Sequence, residues 1–329
     1  MTTHRERIET CLSGELPDRP PVALWRHFPV DDQSPENLAE AHLEYQRTYD
    51  FDLVKVTPAS SFCLKDWGVN DEWEGNTEGT RRYTNNVINK PGDWEYLPYL
   101  DPFAHHLSDQ LGCLRQIRKG LGPETPLLQT IFNPLAQAKH LAGEDMLLVH
   151  LRKYPEAVLK GLETITETSK RFIEAAIETG IDGIFYAVQH SQAALLSLDE
   201  FTNFSRSYDY TLLETARDLW CNMLHIHGKN IYFDILSNYP VHILNWHDRE
   251  ADPTLSEAAK RFKGVLCGGL SRDSLVFKNP ADITNEAIDA FDQTNGKRLI
   301  LSTGCVVPII APHGNILAAR NAGLEISNI

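Results

Sequence analysis

The feature that most constrains the fold of this chain is a set of eight short apolar, β-branched segments that recur along its 329 residues. Each segment is bounded by turn residues, as buried strands are. They are Pro21–His27, Asp52–Pro58, Pro126–Phe132, Gly183–Val188, Met223–Gly228, His242–His247, Gly264–Leu270 and Arg298–Cys305. Eight such strands, separated by helical segments, predict a parallel α/β barrel of the (β/α)8 TIM type.

Helix signals fill the intervals between these predicted strands. Ser34–Tyr49 opens with Ser, Pro and Glu, which is a favourable helix start, and the amphipathic run Pro155–Thr179 stops at Gly180. Further helices are expected at Leu198–Leu219, Pro253–Phe262, Pro280–Thr294 and Ala311–Ala322. A doubly wound open sheet is the alternative. The count of eight, and the lack of a GxGxxG motif after the first strand, favour the barrel.

The segment Ser60–Asp101 does not fit a simple strand–helix unit. It is rich in aromatic and turn residues and poor in apolar runs. We expect an insertion after the second strand, with a hairpin near the barrel mouth or at a partner surface. Because no linker-like stretch divides the sequence, residues 1–329 are predicted to form one domain.

Charge and cysteine content narrow the class of protein. The chain has 45 acidic and 31 basic residues and a formal net charge of −14, which argues against sequence-independent nucleic-acid binding. Its six cysteines are scattered without a CxxC pair, and the polar N-terminus has no apolar signal-peptide core. We therefore expect a reducing, cytoplasmic setting and no membrane span.

Functional residues of a barrel collect at the C-terminal ends of its strands. Five of the predicted strand ends supply imidazole, thiol or guanidinium groups. These residues are Arg26 and His27, His190, His225 and His227, His247, and Cys305. Each residue alone is most simply explained as a structural group. The evidence for a functional site is that so many of these residues occur at the ends of different strands.

His225 and His227 form the sharpest pair because residues two apart on a strand point to the same side. Cys305, at the end of the last strand, would complete a set of three ligands. Histidine nitrogen and cysteine sulfur bind zinc, and three protein ligands leave a fourth position open for chemistry. Iron and nickel accept similar ligands. In the alternative, one histidine packs in the core while the other binds substrate or phosphate.

The remaining strand-end residues have two interpretations each. Arg26 is a candidate for binding a substrate carboxylate through its planar fork, or for an ion pair between strands. His190 and His247 are candidates for proton transfer, or for structural hydrogen bonding. His27 and Trp246 are candidate substrate contacts, and Trp246 alternatively fills the barrel mouth.

Four segments carry a resemblance to a known family. They are GELPDRPPVALWRH at 14–27, TIFNPLAQAKHLAG at 130–143, YPEAVLKGLETIT at 154–166 and LILSTGCVVPIIAPHGNILA at 299–318. In content and order they resemble the uroporphyrinogen decarboxylase superfamily. The resemblance implies one TIM barrel, and it implies a homodimer in which the Ser60–Asp101 segment is a candidate contact.

The resemblance has two functional branches. True decarboxylases act on a tetrapyrrole without a cofactor, and their first strand carries two arginines that grip carboxylates. Only Arg26 matches here. The decarboxylase Asp falls on Thr57, the Tyr on Ile131 and the near-terminal His on Cys305, which argues against that activity.

The corrinoid-linked methyltransferases, including the coenzyme M methyltransferases, bind zinc through an H-x-C motif and a late Cys. His225 and Cys305 match, while His227 replaces the middle Cys and raises the net charge of the site by one unit. The resemblance therefore implies a zinc-dependent methyltransferase or demethylase. No D-x-H-x-x-G cobalamin motif occurs, so the corrinoid is expected on a separate protein.

Two other functions stay open on the sequence. One is a metal-free decarboxylase of a porphyrinogen-like or other carboxylic acid, in which Arg26 would fix the carboxylate. The other is a non-catalytic binder of a corrinoid, a tetrapyrrole or a metal. Zinc content separates the methyltransferase from both.

Overall fold

The computed structural model describes residues 2–326. Within them lies a curled sheet of seven parallel strands, whose spatial order follows the chain. Its strands are β1 (Val54–Val56), β4 (Leu127–Phe132), β5 (Gly183–Val188), β6 (Met223–Ile226), β7 (Ile243–Trp246), β8 (Val265–Leu270) and β9 (Leu299–Thr303). A separate antiparallel pair joins β2 (Asp71–Glu72) to β3 (Arg82–Tyr83).

Helices pack around this sheet. They are α1 (His4–Ser13), α2 (Pro35–Tyr49), α3 (His105–Leu121), α4 (Pro134–Ala142), α5 (Glu144–Lys153), α6 (Pro155–Ile177), α7 (Leu198–Phe201), α8 (Ser207–Thr215), α9 (Phe233–Leu236), α10 (Leu255–Ala258), α11 (Arg272–Phe277), α12 (Pro280–Thr294) and α13 (His313–Ile326). None of these helices is both long enough and apolar enough to cross a membrane.

The α/β class and seven of the expected strands are confirmed, but the first expected strand, residues 21–27, is not a regular strand. It makes one isolated parallel bridge, between Val22 and Leu301. The amide of Ala23 donates to the Leu301 carbonyl at 3.0 Å, and the amide of Asp52 donates to the Val22 carbonyl at 2.8 Å. The segment thus hydrogen-bonds beside both edge strands. Proline at position 21 has no N–H to donate, which shortens the ladder there.

Two expected helices are shorter or more divided than the sequence pattern predicts. The Leu198–Leu219 run is split by a π-helical turn, Thr202–Arg206, between α7 and α8. The Pro253–Phe262 run keeps only α10, whose start is set by Thr254, which accepts a hydrogen bond from the Glu257 amide. Helices α1, α3, α4, α5, α9 and α11 were not expected. The capping box of Thr3 and Glu6 is a sequence signal that predicts α1.

The segment Ser60–Asp101 contains the expected hairpin, formed by β2 and β3 and their connecting loop. We call residues 71–83 the mouth hairpin. Its loop is held over one end of the sheet, since the Ile309 amide donates to the Thr77 carbonyl at 2.8 Å and Arg272 pairs with Glu78 at 2.7 Å. Gly79 has φ +79°, and an added Cβ would lie 2.6 Å from the Cβ of His27, so the backbone needs glycine here.

Two apolar clusters organise the interior. The larger lies between the sheet and its helices. The smaller lies inside the curl of the sheet and includes Ile8 and Cys11 of α1, together with Leu53, Met223 and Ile243. Helix α1 therefore plugs the end of the curl at which the strands begin. The mouth hairpin lies at the end where they finish, so the open end is the one where parallel-barrel sites are found.

Candidate metal centre and adjoining cavity

Strand register brings the strongest candidate residues together. In the β6–β7 ladder, His225 is paired with Asn245. Two residues further on, His227 and His247 lie side by side just beyond the strand ends, because parallel strands finish at the same edge. Cys305 follows β9 and reaches the same point.

One ligand atom from each of His225, His227, His247 and Cys305 lies within 4.8 Å of every other. We call these four residues the His/Cys cluster. Nε2 of His247 is 3.4 Å from Nδ1 of His227. Two nitrogens bound tetrahedrally to zinc at about 2.0–2.1 Å lie roughly 3.3–3.4 Å apart. The spacing and the donor set therefore fit a zinc ion.

The protonation preferences of the cluster also suit a metal. Burial opposes ionisation of the Cys305 thiol, but the facing histidines, His225 first, lower its pKa well below the ordinary value. Burial lowers the pKa of His225. Burial also acts to lower the pKa of His247, yet the thiolate of Cys305 raises it overall. A thiolate that faces a neutral imidazole, as Cys305 faces His225, is the form that binds metal ions.

Asn245 determines which nitrogen of His225 faces the cluster. Its Nδ2 donates to the carbonyls of Cys267 at 2.8 Å and Thr303 at 3.0 Å, which fixes the orientation of the amide. Its Oδ1 lies 2.6 Å from Nδ1 of His225, so Nδ1 must carry the proton. Nε2 of His225 then presents its lone pair. Such outer hydrogen bonds orient metal-binding histidines.

A carboxylate lies behind His247. Oε2 of Glu250 is 3.6 Å from its Nδ1, and Glu250 in turn pairs with Arg272 at 3.1 Å. Arg272 also pairs with Glu78 of the mouth hairpin at 2.7 Å. The cluster is thus linked by ionic contacts to the loop that covers the open end.

The His/Cys cluster forms one wall of a cavity of about 670 Å³. His225, His227 and Cys305 line this cavity directly. The remaining wall combines charged and polar side chains with an aromatic part that includes Trp25, Phe132 and Phe185, and the Tyr83 and His140 rings stack 4.2 Å apart. A cluster of metal-binding groups beside a partly apolar cavity can activate a small bound molecule.

Comparison with known proteins identifies the family. The sequence profile described as uroporphyrinogen decarboxylase (URO-D) matches residues 3–323. This chain belongs to the URO-D family. The resemblance found in the sequence is confirmed at that level.

One relative of this URO-D family chain is a methyltransferase by name. Methylcobamide:CoM methyltransferase MtaA of Methanosarcina barkeri is 23% identical over 210 residues, which are 63% of this chain and 60% of the relative. The match therefore spans less than two thirds of the relative's length.

Solved structures show the fold of the URO-D chain. A methyltransferase from Methanosarcina mazei has a TM-score of 0.86 at 20% identity and covers 99% of both chains. A B12-independent methionine synthase from Shewanella sp. W3-18-1, in complex with selenomethionine, has a TM-score of 0.60 at 15% identity and covers 94% of this chain and 93% of that one. At these identities the likeness concerns the fold alone.

The remaining candidates of the URO-D chain are placed differently. His27 lines the cavity, and burial lowers its pKa to about 3. Arg26 lies on the other side of the backbone, with its guanidinium over the rings of Phe28 at 5.2 Å and Tyr45 at 5.9 Å. Trp246 is fully buried between sheet and helices, where its Nε1 donates to the Pro253 carbonyl at 2.9 Å.

His190 lies near the cluster but outside it. Its backbone is left-handed, with φ +65°, and its buried Nε2 makes no hydrogen bond with the described residues. Burial and the charges of Lys139 and His227 lower its pKa to about 4. A neutral imidazole with one free nitrogen keeps the capacity for proton transfer that the sequence suggested.

Three residues of the site were missed from the sequence. Asn245 carries no motif, and only the register of β6 and β7 shows that it faces His225. Glu78 lies in a loop whose course the sequence does not specify. Lys55 lies in the middle of β1 and lines the cavity, although lysine in a short strand usually faces solvent.

Proposed function

We propose that this URO-D family chain is a zinc-dependent methyltransferase or demethylase that works with a separate corrinoid protein. The observation that carries the proposal is the convergence of His225, His227, His247 and Cys305 beside a cavity of about 670 Å³. The name of the relative, methylcobamide:CoM methyltransferase, supports methyl transfer and a corrinoid donor. We also infer that residues 21–27 occupy the position of the eighth strand of a barrel.

Cys305, His225 and His227 would hold the zinc ion, as the sequence suggested, and would leave the fourth position open for a substrate group, with His247 beside it. Zinc held there would lower the pKa of a coordinated thiol, water or substrate oxygen. Asn245 keeps the lone pair of His225 directed at the ion. Glu250 lies behind His247, where it favours a proton on Nδ1 and leaves Nε2 directed at the cluster.

The cavity supplies the other requirements of methyl transfer. Its aromatic wall excludes water from the reacting groups. Burial lowers the pKa of His190 to about 4 and that of His27 to about 3, so both imidazoles remain neutral near pH 7. The partner is proposed to be a distinct chain, a small molecule is the co-substrate, and the six free cysteines suit a reducing, cytoplasmic setting. A homodimer stays a prediction.

The position of Arg26 bears on the metal-free decarboxylase considered above. That alternative requires Arg26 to grip a substrate carboxylate, yet Arg26 faces Phe28 and Tyr45 rather than the cavity. The location of Arg26 therefore supports methyl transfer over decarboxylation.

Elemental analysis of the purified protein tests the proposal. We expect about one zinc per chain, lost in Cys305→Ser and retained in the matched control Cys63→Ser, a free cysteine outside the cluster. Methylcobalamin, as a surrogate donor, should then lose its methyl group to a thiol only in the zinc-containing proteins. Protein that binds no zinc even after reconstitution would contradict the proposal.

A further inference from the structure

A buried lysine in the cavity has no assigned role. Lys55 is only 6% exposed, and its Nζ makes a single side-chain hydrogen bond, to Oγ1 of Thr57 at 3.3 Å. No carboxylate within residues 2–326 forms an ion pair with it. An ammonium group has three donors, and a buried charge without a partner costs folding free energy. Such a group is best explained by a ligand that supplies the missing anion.

The arginines near the cavity are already neutralised or face elsewhere. Arg81 pairs with Asp32 and Asp71 at 3.1 and 2.9 Å, and Arg82 pairs with Glu74 at 2.7 Å. Arg272 pairs with Glu78 and Glu250. Lys139 also lines the cavity and forms no ion pair within residues 2–326, but it is less buried than Lys55; burial lowers its pKa, and the charge of Glu144 acts in the opposite direction. Lys55 is therefore the most buried cation of the cavity and has no carboxylate partner, since only the charge of Cys305 acts to raise its pKa, so it matches one negative charge on a ligand.

The surroundings of Lys55 are aromatic. Its Nζ lies 4.6 Å from the ring centroid of Phe185, and Phe185 packs edge-to-face against Trp25 at 5.3 Å. Phe132 continues this wall. Flat apolar surfaces of this kind bind planar rings through burial and stacking.

Phe185 also connects Lys55 to the proposed metal centre. Its ring stacks on the imidazole of His225, with centroids 5.3 Å apart and an interplanar angle of 21°. Lys55 and the metal-binding imidazole therefore contact one and the same ring. A ligand held by Lys55 against this wall has its other end beside the His/Cys cluster.

We propose that Lys55 binds the acidic oxygen of a small, singly charged aromatic substrate, a carboxylate or a phenolate, and so selects the substrate of this site. The inference deepens the proposed function and rests on it for the reaction, but the binding itself does not require zinc. The aromatic wall accommodates the ring, Lys55 neutralises the charge, and the substituent to be altered lies beside the His/Cys cluster.

Isothermal titration calorimetry with matched probes tests this assignment. The probes are 3-methoxybenzoate, its uncharged counterpart methoxybenzene, and butanoate as an aliphatic anion. With the protein as purified, we expect 3-methoxybenzoate to bind best. Lys55→Met should weaken that binding about 10- to 100-fold, as expected for loss of a charge-assisted hydrogen bond, and leave methoxybenzene binding unchanged. Lys55→Arg should recover part of the loss.

Three results would overturn the assignment. They are the absence of 3-methoxybenzoate binding in the unaltered protein, equal binding by Lys55→Met, and butanoate binding as tight as that of 3-methoxybenzoate. Thermal unfolding of each variant shows that it is folded. Zinc content is measured on the same preparations, so protein that lacks zinc but binds the aromatic anion through Lys55 contradicts the proposed function and not this assignment.

Discussion

The inside of the curled sheet has two layers built by the same strands, and they differ in chemistry. In the lower layer, β6 and β7 place Met223 and Ile243 in the apolar cluster that α1 plugs. Two residues further along each strand, the same inner face carries His225 and Asn245, both buried. Strand β1 changes in the same way, from Leu53 to Lys55.

This difference shows how one fold separates stability from chemistry. The lower layer is closely packed and mostly apolar, and burial raises the pKa of its thiols, such as Cys221 and Cys267, so its side chains contribute through burial. The upper layer consists of imidazoles, an amide and an ammonium that are desolvated by the walls around them. Desolvation lowers the pKa of His225 and takes the pKa of Lys55 to about 7. The lower layer is thus one reason why the upper layer has unusual acidities.

The largest expected effect comes from placing a polar side chain, of the kind found in the upper layer, in the lower layer. Ile243→Asn puts an amide two residues below Asn245, where no partner is available, and should reduce the free energy of unfolding by about 3–5 kcal/mol. Urea unfolding measures this change. The matched control Ile243→Val should cost only about 0.5–1.5 kcal/mol. Equal stability of the two variants would show that the lower layer is not dry.

The converse change, in the upper layer, should affect metal binding rather than folding. His227→Ala removes one proposed ligand, and we expect zinc affinity to fall about 100-fold or more while metal-free stability changes by less than about 1 kcal/mol. A chelator competition measures the affinity. The exposed His106, which pairs with Asp66, provides the control His106→Ala. Zinc affinity equal to that of the control would remove His227 from the metal site.

The pH dependence of stability isolates Lys55. Burial lowers its pKa from 10.5 to about 7 in the folded chain, so between those values the unfolded chain binds more protons and stability rises with pH. The groups that face Lys55 are His27 and His42, whose pKa values its charge lowers, and Cys305, whose charge raises the pKa of Lys55. Lys55→Met should be the more stable protein at pH 6 and lose roughly 2–3 kcal/mol of that advantage by pH 9. A difference in stability between the two proteins that stayed constant across this pH range would show that the Lys55 ammonium is solvated.

A smaller effect is expected at the boundary between the layers. Asn245→Ala leaves every proposed ligand in place but releases the tautomer of His225, and we expect zinc affinity to fall roughly 10-fold. The same chelator competition measures it, with metal-free unfolding as the control for packing. An unchanged zinc affinity would mean that Asn245 only supports the sheet.

Much of the site could be predicted because strand alternation and strand ends are local properties. His225 and His227 share a face at a spacing of two, and Cys305 ends the last expected strand. His247, which was expected to transfer protons, lies in the cluster because β6 and β7 pair in register. That register depends on contacts between distant segments, which the sequence pattern does not show.

The misplaced expectations have the same origin. Arg26 and Trp246 each neighbour residues that face the cavity or the cluster, and in an extended segment neighbours point to opposite sides. The sequence shows the alternation but not which set faces inward, so His27 and Arg26 were equally plausible. Lys55 was missed because a single lysine carries no pattern, and its burial follows from the closure of the sheet around it.

The plug formed by helix α1 also bears on the order of kinetic events. Because α1 and the lower layer close one end of the curl, the substrate and a corrinoid-bearing protein would both arrive from the side of the mouth hairpin. A bulky partner seated there would obstruct the path of a small molecule to the His/Cys cluster. Turnover would then follow a compulsory sequence, with the small molecule first, and excess partner protein would slow the steady-state rate at low substrate concentration.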